Sequence, residues 1–133
     1  MFDFEMNAPL ESISPLVFAY VGDAVHELYI RTMLSKDKNI PVNKLHKSAT
    51  GYVSAKAQSA TIKALEDTLS EEEVKIFKRG RNAKSPTAAK NADIIDYRHA
   101  TGFETLLGYL YFKKDFKRLE EILKLSYEIH NQL

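Results

Sequence analysis

Leu16-Val17-Phe18-Ala19-Tyr20-Val21-Gly22-Asp23-Ala24-Val25-His26-Glu27-Leu28 is the stretch whose reading decides the fold. Six apolar residues run unbroken into a glycine and a carboxylate. Ser14-Pro15, just ahead, reads as a helix start: a serine cap, then proline in the first turn, where its missing N–H costs little. The pattern predicts a helix over about residues 15–34. A helix that is apolar on every side is buried. Asp23 is therefore expected in or beside a core, where an ionised carboxylate is costly without a partner.

Downstream, Ser35 to Pro41 is a polar loop closed by proline. Leu45, Ala49 and Tyr52 recur at helical spacing from Asn43. Val53, Ala57, Ala60 and Ala64 continue the pattern after a break near Gly51, with Ser54 as a candidate cap. Ser70 and Glu73 form a capping box that opens a helix with Val74 and Phe77 on its inner face. Gly80, Ser85 and Pro86 are read as a loop, and Asn91 to Tyr97 as a short helical or turn segment. A second apolar helix is expected from Ala100, through Phe103, Leu106, Leu107, Tyr109, Leu110, Tyr111 and Phe112, again with one acid, Glu104. Asp115 caps a last helix bearing Phe116, Leu119, Ile122, Leu123 and Ile129. Upstream, residues 1–13 are a lead-in with one short turn near Pro9-Leu10. No alternating run is bounded by hairpin turns. The expected fold class is all-α, with six or seven helices.

The chain has 133 residues, the length of one domain over 1–133, and can bury a core without disulfides. It has no cysteine, which suits a reducing compartment. Met1-Phe2-Asp3-Phe4-Glu5 lacks the basic and apolar regions of a signal peptide. No apolar run approaches the roughly 20 residues of a membrane span. A cytoplasmic protein with no membrane partner is expected.

Net charge is only +1, but its distribution is uneven. Lys75 to Lys90 contains Lys75, Lys78, Arg79, Arg81, Lys84 and Lys90 and no acidic residue. Glycine and serine among those charges suit contact with phosphate. No aromatic residue is interleaved over Lys78 to Ser85, so stacking on single strands is not indicated. The plainer alternative is a solvated charge run. Asp23 and Glu104 are each a lone acid beside small residues: Gly22 and Ala24 in one helix, Gly102 and Gly108 in the other. If those helices cross there, the acids converge, and oxygen ligands completed by water are what Mg²⁺ prefers. Otherwise each acid is satisfied separately, by Arg31 or Lys56 for example. Glu27 lies on the Asp23 face and is read as a structural partner of Arg31. His26 lies off that face and is read as a surface or interface histidine.

Ala19-Tyr20-Val21-Gly22-Asp23-Ala24-Val25-His26-Glu27 resembles the signature helix of the ribonuclease III endonuclease domain. Thr101-Gly102-Phe103-Glu104-Thr105-Leu106-Leu107-Gly108-Tyr109-Leu110-Tyr111 resembles that domain's second catalytic helix. Lys78-Arg79-Gly80-Arg81-Asn82-Ala83-Lys84-Ser85, Val53-Ser54-Ala55-Lys56-Ala57-Gln58 and the chain length narrow the resemblance to the Mini-III branch. It covers about residues 10–125.

The resemblance implies a homodimeric, Mg²⁺-dependent endonuclease of double-stranded RNA, with Mn²⁺ able to substitute. It implies 5′-phosphate and 3′-hydroxyl products, and maturation of large-subunit (23S) ribosomal RNA precursor ends. Asp23 and Glu104 fall on two catalytic, metal-binding acids. Lys78, Arg79, Arg81, Asn82, Lys84, Ser85 and Lys90 are the candidate RNA contacts. Tyr20 falls where the family places an aromatic across the two-fold axis, making it the candidate dimer contact; ordinary core is its alternative. A ribosomal protein on the substrate is a further expected partner. Other family acids are replaced here by Leu16, Ala19 and Thr101, and a further one falls near Val42. Weak Mg²⁺ binding without RNA is therefore expected. The competing readings are a catalytically silent duplex-RNA-binding or ribosome-assembly factor, and a helical interaction module whose acids brace an interface.

Overall fold

Helix starts fall where serine and aspartate side chains can accept the first free backbone N–H groups. The computed structural model describes residues 1–36, 39–84 and 93–131. Among these, α1 (Pro15–Ser35), α2 (Val42–Val53), α3 (Ala55–Leu65), α4 (Glu71–Asn82), α5 (Ile94–Phe112) and α6 (Phe116–Asn131) carry the fold, with two 3-10 turns and no strand. The all-α expectation holds. Ser14 accepts from the Leu16 amide, Ser54 from Ala57 and Asp93 from Ile95. Asp115 accepts from Arg118 at 3.2 Å, as its position predicts. Ser54, not Gly51, separates α2 from α3; Gly51 lies inside α2.

The core is built around α5. Phe103, Leu106, Leu107 and Leu110 are buried on it, against Val25 of α1, Ile62 and Leu65 of α3, Phe77 of α4 and Leu119, Ile122 and Leu123 of α6. Among the described residues no helix is long and apolar enough to cross a membrane.

Three expectations are corrected. First, α1 is not buried all round. Val17 and Leu28 are exposed, Tyr20 is 82% exposed, and Asp23 is exposed with them. Only one side of α1 is covered, chiefly by α5, so apolar composition overstated its burial. Tyr20 is not a core residue. Second, Gly80 is not in a loop: α4 runs through it to Asn82. A methyl group there would strike the Thr105 hydroxyl and lie 2.5 Å from Thr105 Cβ, so this glycine permits close helix packing. Third, α5 begins at Ile94, two turns before Ala100. Ile94 and Ile95 are exposed, so the first turn carries no inward apolar signal.

The Ser70–Glu73 capping box is present in both directions, at 2.9 and 3.1 Å. Glu73 is buried and also takes two hydrogen bonds from Arg118, at 2.8 and 2.9 Å. Arg118 reaches on to the Thr68 carbonyl, tying α6 to the start of α4. This pairing holds the Glu73 carboxyl below its usual range. Arg118→Met leaves a buried carboxylate without its cation and is expected to cost about 2–4 kcal/mol. Urea unfolding at neutral pH measures it; a change under 0.5 kcal/mol would show that the pair adds nothing.

Candidate active site

The site begins with two glycines. α1 crosses α5 at Gly22 and Gly108 with backbone against backbone. A methyl on Gly22 would overlap the Glu104 carbonyl oxygen and lie 2.7 Å from its carbon. A methyl on Gly108 would overlap the Phe18 carbonyl oxygen and lie 2.5 Å from its carbon. The expected crossing is real, but only these two of the four small residues make it. Gly102 instead receives the Phe77 ring, and Ala24 is exposed.

This crossing brings Asp23 and Glu104 together, their carboxyl groups within hydrogen-bonding reach. Asp23 stands on the exposed rim, while Glu104 is half-buried beneath it. Burial, then the Asp23 carboxylate beside it, push the Glu104 carboxyl up to about 8; Glu27 adds to the same negative potential. At neutral pH and without a cation, Glu104 holds its proton. Neither acid is paired with Arg31, which binds Glu27 at 3.0 Å as the spacing predicts. Lys56 is exposed.

Behind Glu104 lies a polar layer that sequence reasoning missed. Gln58 of α3 lies close enough to the Glu104 carboxyl to favour its ionised form, which partly offsets the upward shift. Its Nε2 also lies 2.9 Å from Nδ1 of His26. His26 is not a surface residue: it is 1% exposed, with its ring edge-on to Phe103 at 5.2 Å. Burial lowers its pKa to about 4, so it is neutral at ordinary pH. Among the described residues its Nε2 has no hydrogen-bond partner. The signal for Gln58 was its place on the inner stripe of α3, with Thr61, Ile62 and Leu65. A polar side chain in that register must find partners.

The basic residues divide by position. Lys78, Arg79, Arg81 and Asn82 occupy the last turn of α4, and Lys84 follows the helix. Gly80 seats that turn against Gly102 and Thr105 of α5. Lys78 and Lys84 are exposed. Arg79 donates to the Ile13 carbonyl at 3.3 Å. Arg81 donates to Asn82 at 3.1 Å, with its guanidinium 5.7 Å from the centre of the Phe77 ring. Ser85 and Lys90 lie outside the described residues.

Among the described residues no three His, Cys, Asp or Glu side chains form a metal-binding group. The donor set is the carboxylate pair alone. Two adjacent carboxyl groups, one of them held protonated at neutral pH by burial and its neighbour, suit a divalent cation that completes its shell with water and a substrate oxygen. The positions where the resemblance leads one to expect further acids carry no carboxylate: Leu16 is half-buried, Ala19 is buried, Val42 is exposed, and Thr101 donates to the Tyr97 carbonyl.

Residues 16–115 match the ribonuclease III domain family. The chain is 55% identical over 124 residues to Mini-ribonuclease 3 of Clostridium tetani, covering 92% of this chain and 82% of that protein. It is 40% identical over 132 residues to Mini-ribonuclease 3 of Staphylococcus aureus, covering 98% of each. A crystal structure of a Fusobacterium nucleatum protein superimposes with a TM-score of 0.78 at 33% identity, covering 93% of this chain and 98% of that one.

Proposed function

Because the chain belongs to the ribonuclease III family, in its Mini-ribonuclease 3 branch, we propose that it is a Mg²⁺-dependent endoribonuclease that hydrolyses double-stranded RNA. The observation that carries this reading is the convergence of Asp23 and Glu104 at a glycine-lined helix crossing. These two carboxylates would hold Mg²⁺, or Mn²⁺ in its place; the bound cation supplies positive charge to the scissile phosphate and the departing oxygen. Glu104 must release its proton for the pair to act as a ligand, and Gln58 beside it favours the ionised form. A water oxygen bonds to phosphorus as the bond to the 3′ oxygen breaks, leaving 5′-phosphate and 3′-hydroxyl ends.

Lys78, Arg79, Arg81, Asn82 and Lys84 hold the flanking phosphates in this reading, with Ser85 and Lys90 as further contacts. Such contacts carry no base code, so A-form shape and 2′-hydroxyls select the substrate. The active form is a homodimer that cuts both strands. Its support is the exposed apolar face of Val17, Tyr20 and Leu28 on α1, with Tyr20 as the central contact. The natural substrate is the precursor of large-subunit ribosomal RNA in the cytoplasm, presented with a ribosomal protein bound.

The test is cleavage of an end-labelled RNA duplex. Cutting is expected with Mg²⁺ or Mn²⁺, to stop with EDTA, and to return when the cation is restored. Binding without cleavage, on a simple duplex and on the ribosomal precursor alike, would leave a silent binding factor instead.

A further inference from the structure

Gln58 is 2% exposed, and nothing about packing requires an amide there. Leucine would fill similar space without the cost of burying polar atoms. The amide instead joins two side chains from different helices. On one side it lies 2.9 Å from His26 of α1; on the other it lies close enough to the Glu104 carboxyl of α5 to favour its ionised form. Asp23 and His26 are one turn apart on α1, so that helix reaches Glu104 directly through Asp23 and indirectly through His26 and Gln58. Phe103, next to Glu104 in the chain, is fully buried and packs its ring against His26. The loop of contacts is therefore closed, and every member except Asp23 and Glu104 is buried.

The hydrogen-bond directions are set by chemistry. Neutral His26 can accept at Nδ1 from an amide N–H, and a carboxylate can only accept. Once Glu104 is ionised, as it must be to hold a cation, the nitrogen end of the amide serves both neighbours, because the amide oxygen facing the carboxylate would be repelled.

We propose that Gln58, braced by His26, is a positioning residue that holds the Glu104 carboxylate facing Asp23 and so sets how tightly the pair takes up a divalent cation. This rests on the metal-dependent reading above. Partners that orient a metal ligand from behind typically contribute ten- to a hundredfold in affinity. Asp23 sits on the rim without such a brace, so Gln58 matters more in this two-acid site than it would among many acids.

The experiment is Mn²⁺ titration of the RNA-free protein, read by electron paramagnetic resonance, on native protein and on Gln58→Leu, Gln58→Asn and Asp23→Asn. Native protein should bind Mn²⁺ and Asp23→Asn should not. Gln58→Leu should fold, with its unfolding midpoint unchanged or raised, and bind Mn²⁺ about ten- to a hundredfold more weakly. Gln58→Asn, which keeps the amide but is too short to reach both partners, should fall between. Cleavage should then need proportionally more cation, while the rate at saturating cation returns toward native. Native-like Mn²⁺ affinity in folded Gln58→Leu overturns the proposal. If that variant does not fold, the side-chain amide signals of Gln58 in native protein decide: they should shift with the Mg²⁺ titration, and an unmoved signal overturns the proposal. Failure of native protein itself to bind Mn²⁺ removes the metal reading, and the proposal with it.

Discussion

Glu104→Gln is expected to abolish cleavage and yet to make the metal-free protein more stable at pH 8. Glutamine keeps the shape of the side chain and its polar contacts but cannot balance a cation. Loss of a group that organises charge at the reacting phosphate is expected to cost about a thousandfold in rate or more. The stability change has the opposite sign because Glu104 is raised to about 8 in the folded protein, from 4.5. Below about pH 4.5 both folded and unfolded chains hold the proton, and the group contributes no difference. Between about 4.5 and 8 the unfolded chain has released it while the native chain has not. Stability therefore falls as pH rises through that window, and the loss is complete above it. Glutamine has no such loss. The variant should match native protein near pH 4.5 and exceed it by about 2–4 kcal/mol at pH 8.5, a range reduced for the solvent that reaches the rim. Urea unfolding in EDTA at the two pH values measures this. Mg²⁺ should stabilise native protein and not the variant, closing part of the gap. Parallel pH dependence in the two proteins would mean that Glu104 is not held protonated.

That inversion bears on what the sequence could disclose. The two acids were legible because each interrupts an apolar run, and their convergence followed from glycines beside them. The caps were equally legible, since Ser14, Ser54, Ser70 and Asp115 act through their own next turn and need no tertiary information. Burial was not. Asp23 was expected in or beside a core because its neighbours are apolar, but Val17, Tyr20 and Leu28 remain uncovered in the single chain. Composition records that a face is apolar, not whether anything lies against it. Gly80 misled for a related reason: among lysines and arginines a glycine resembles a loop, whereas here it admits Thr105. His26 was read as a surface or interface histidine and Gln58 was given no role, because each is an isolated polar residue in the sequence. Their meaning depends on a contact between residues 32 apart in the chain.

Gly22→Ala is expected to be far more damaging than one added methyl group suggests. Alanine favours a helix over glycine by about 1 kcal/mol. Against that, its methyl would overlap the Glu104 carbonyl oxygen and lie 2.7 Å from the carbonyl carbon and 2.9 Å from the Gly108 nitrogen. All three are backbone atoms, so no rotamer relieves the clash. The helices must part by on the order of 1 Å to restore an ordinary contact between carbon and oxygen. Separation loosens Phe103, Leu106 and Leu107, which are fully buried on α5. Overpacking of a core costs about 1–3 kcal/mol where side chains can adjust; between two backbones the upper end or more is expected. The control is Gly51→Ala. That glycine is exposed inside α2, with nothing within 4 Å of an added methyl, so it should gain about 0.5–1 kcal/mol from propensity alone. Opposite signs for two glycine-to-alanine changes in one protein isolate the crossing as the cause. Where Gly22→Ala still folds, Asp23 withdraws from Glu104, and Mn²⁺ affinity should fall together with stability. Unfolding midpoints and Mn²⁺ titration read the two effects separately. A Gly22→Ala protein with native stability would show that α1 and α5 do not meet backbone to backbone, and the pairing of the acids would lose its structural basis.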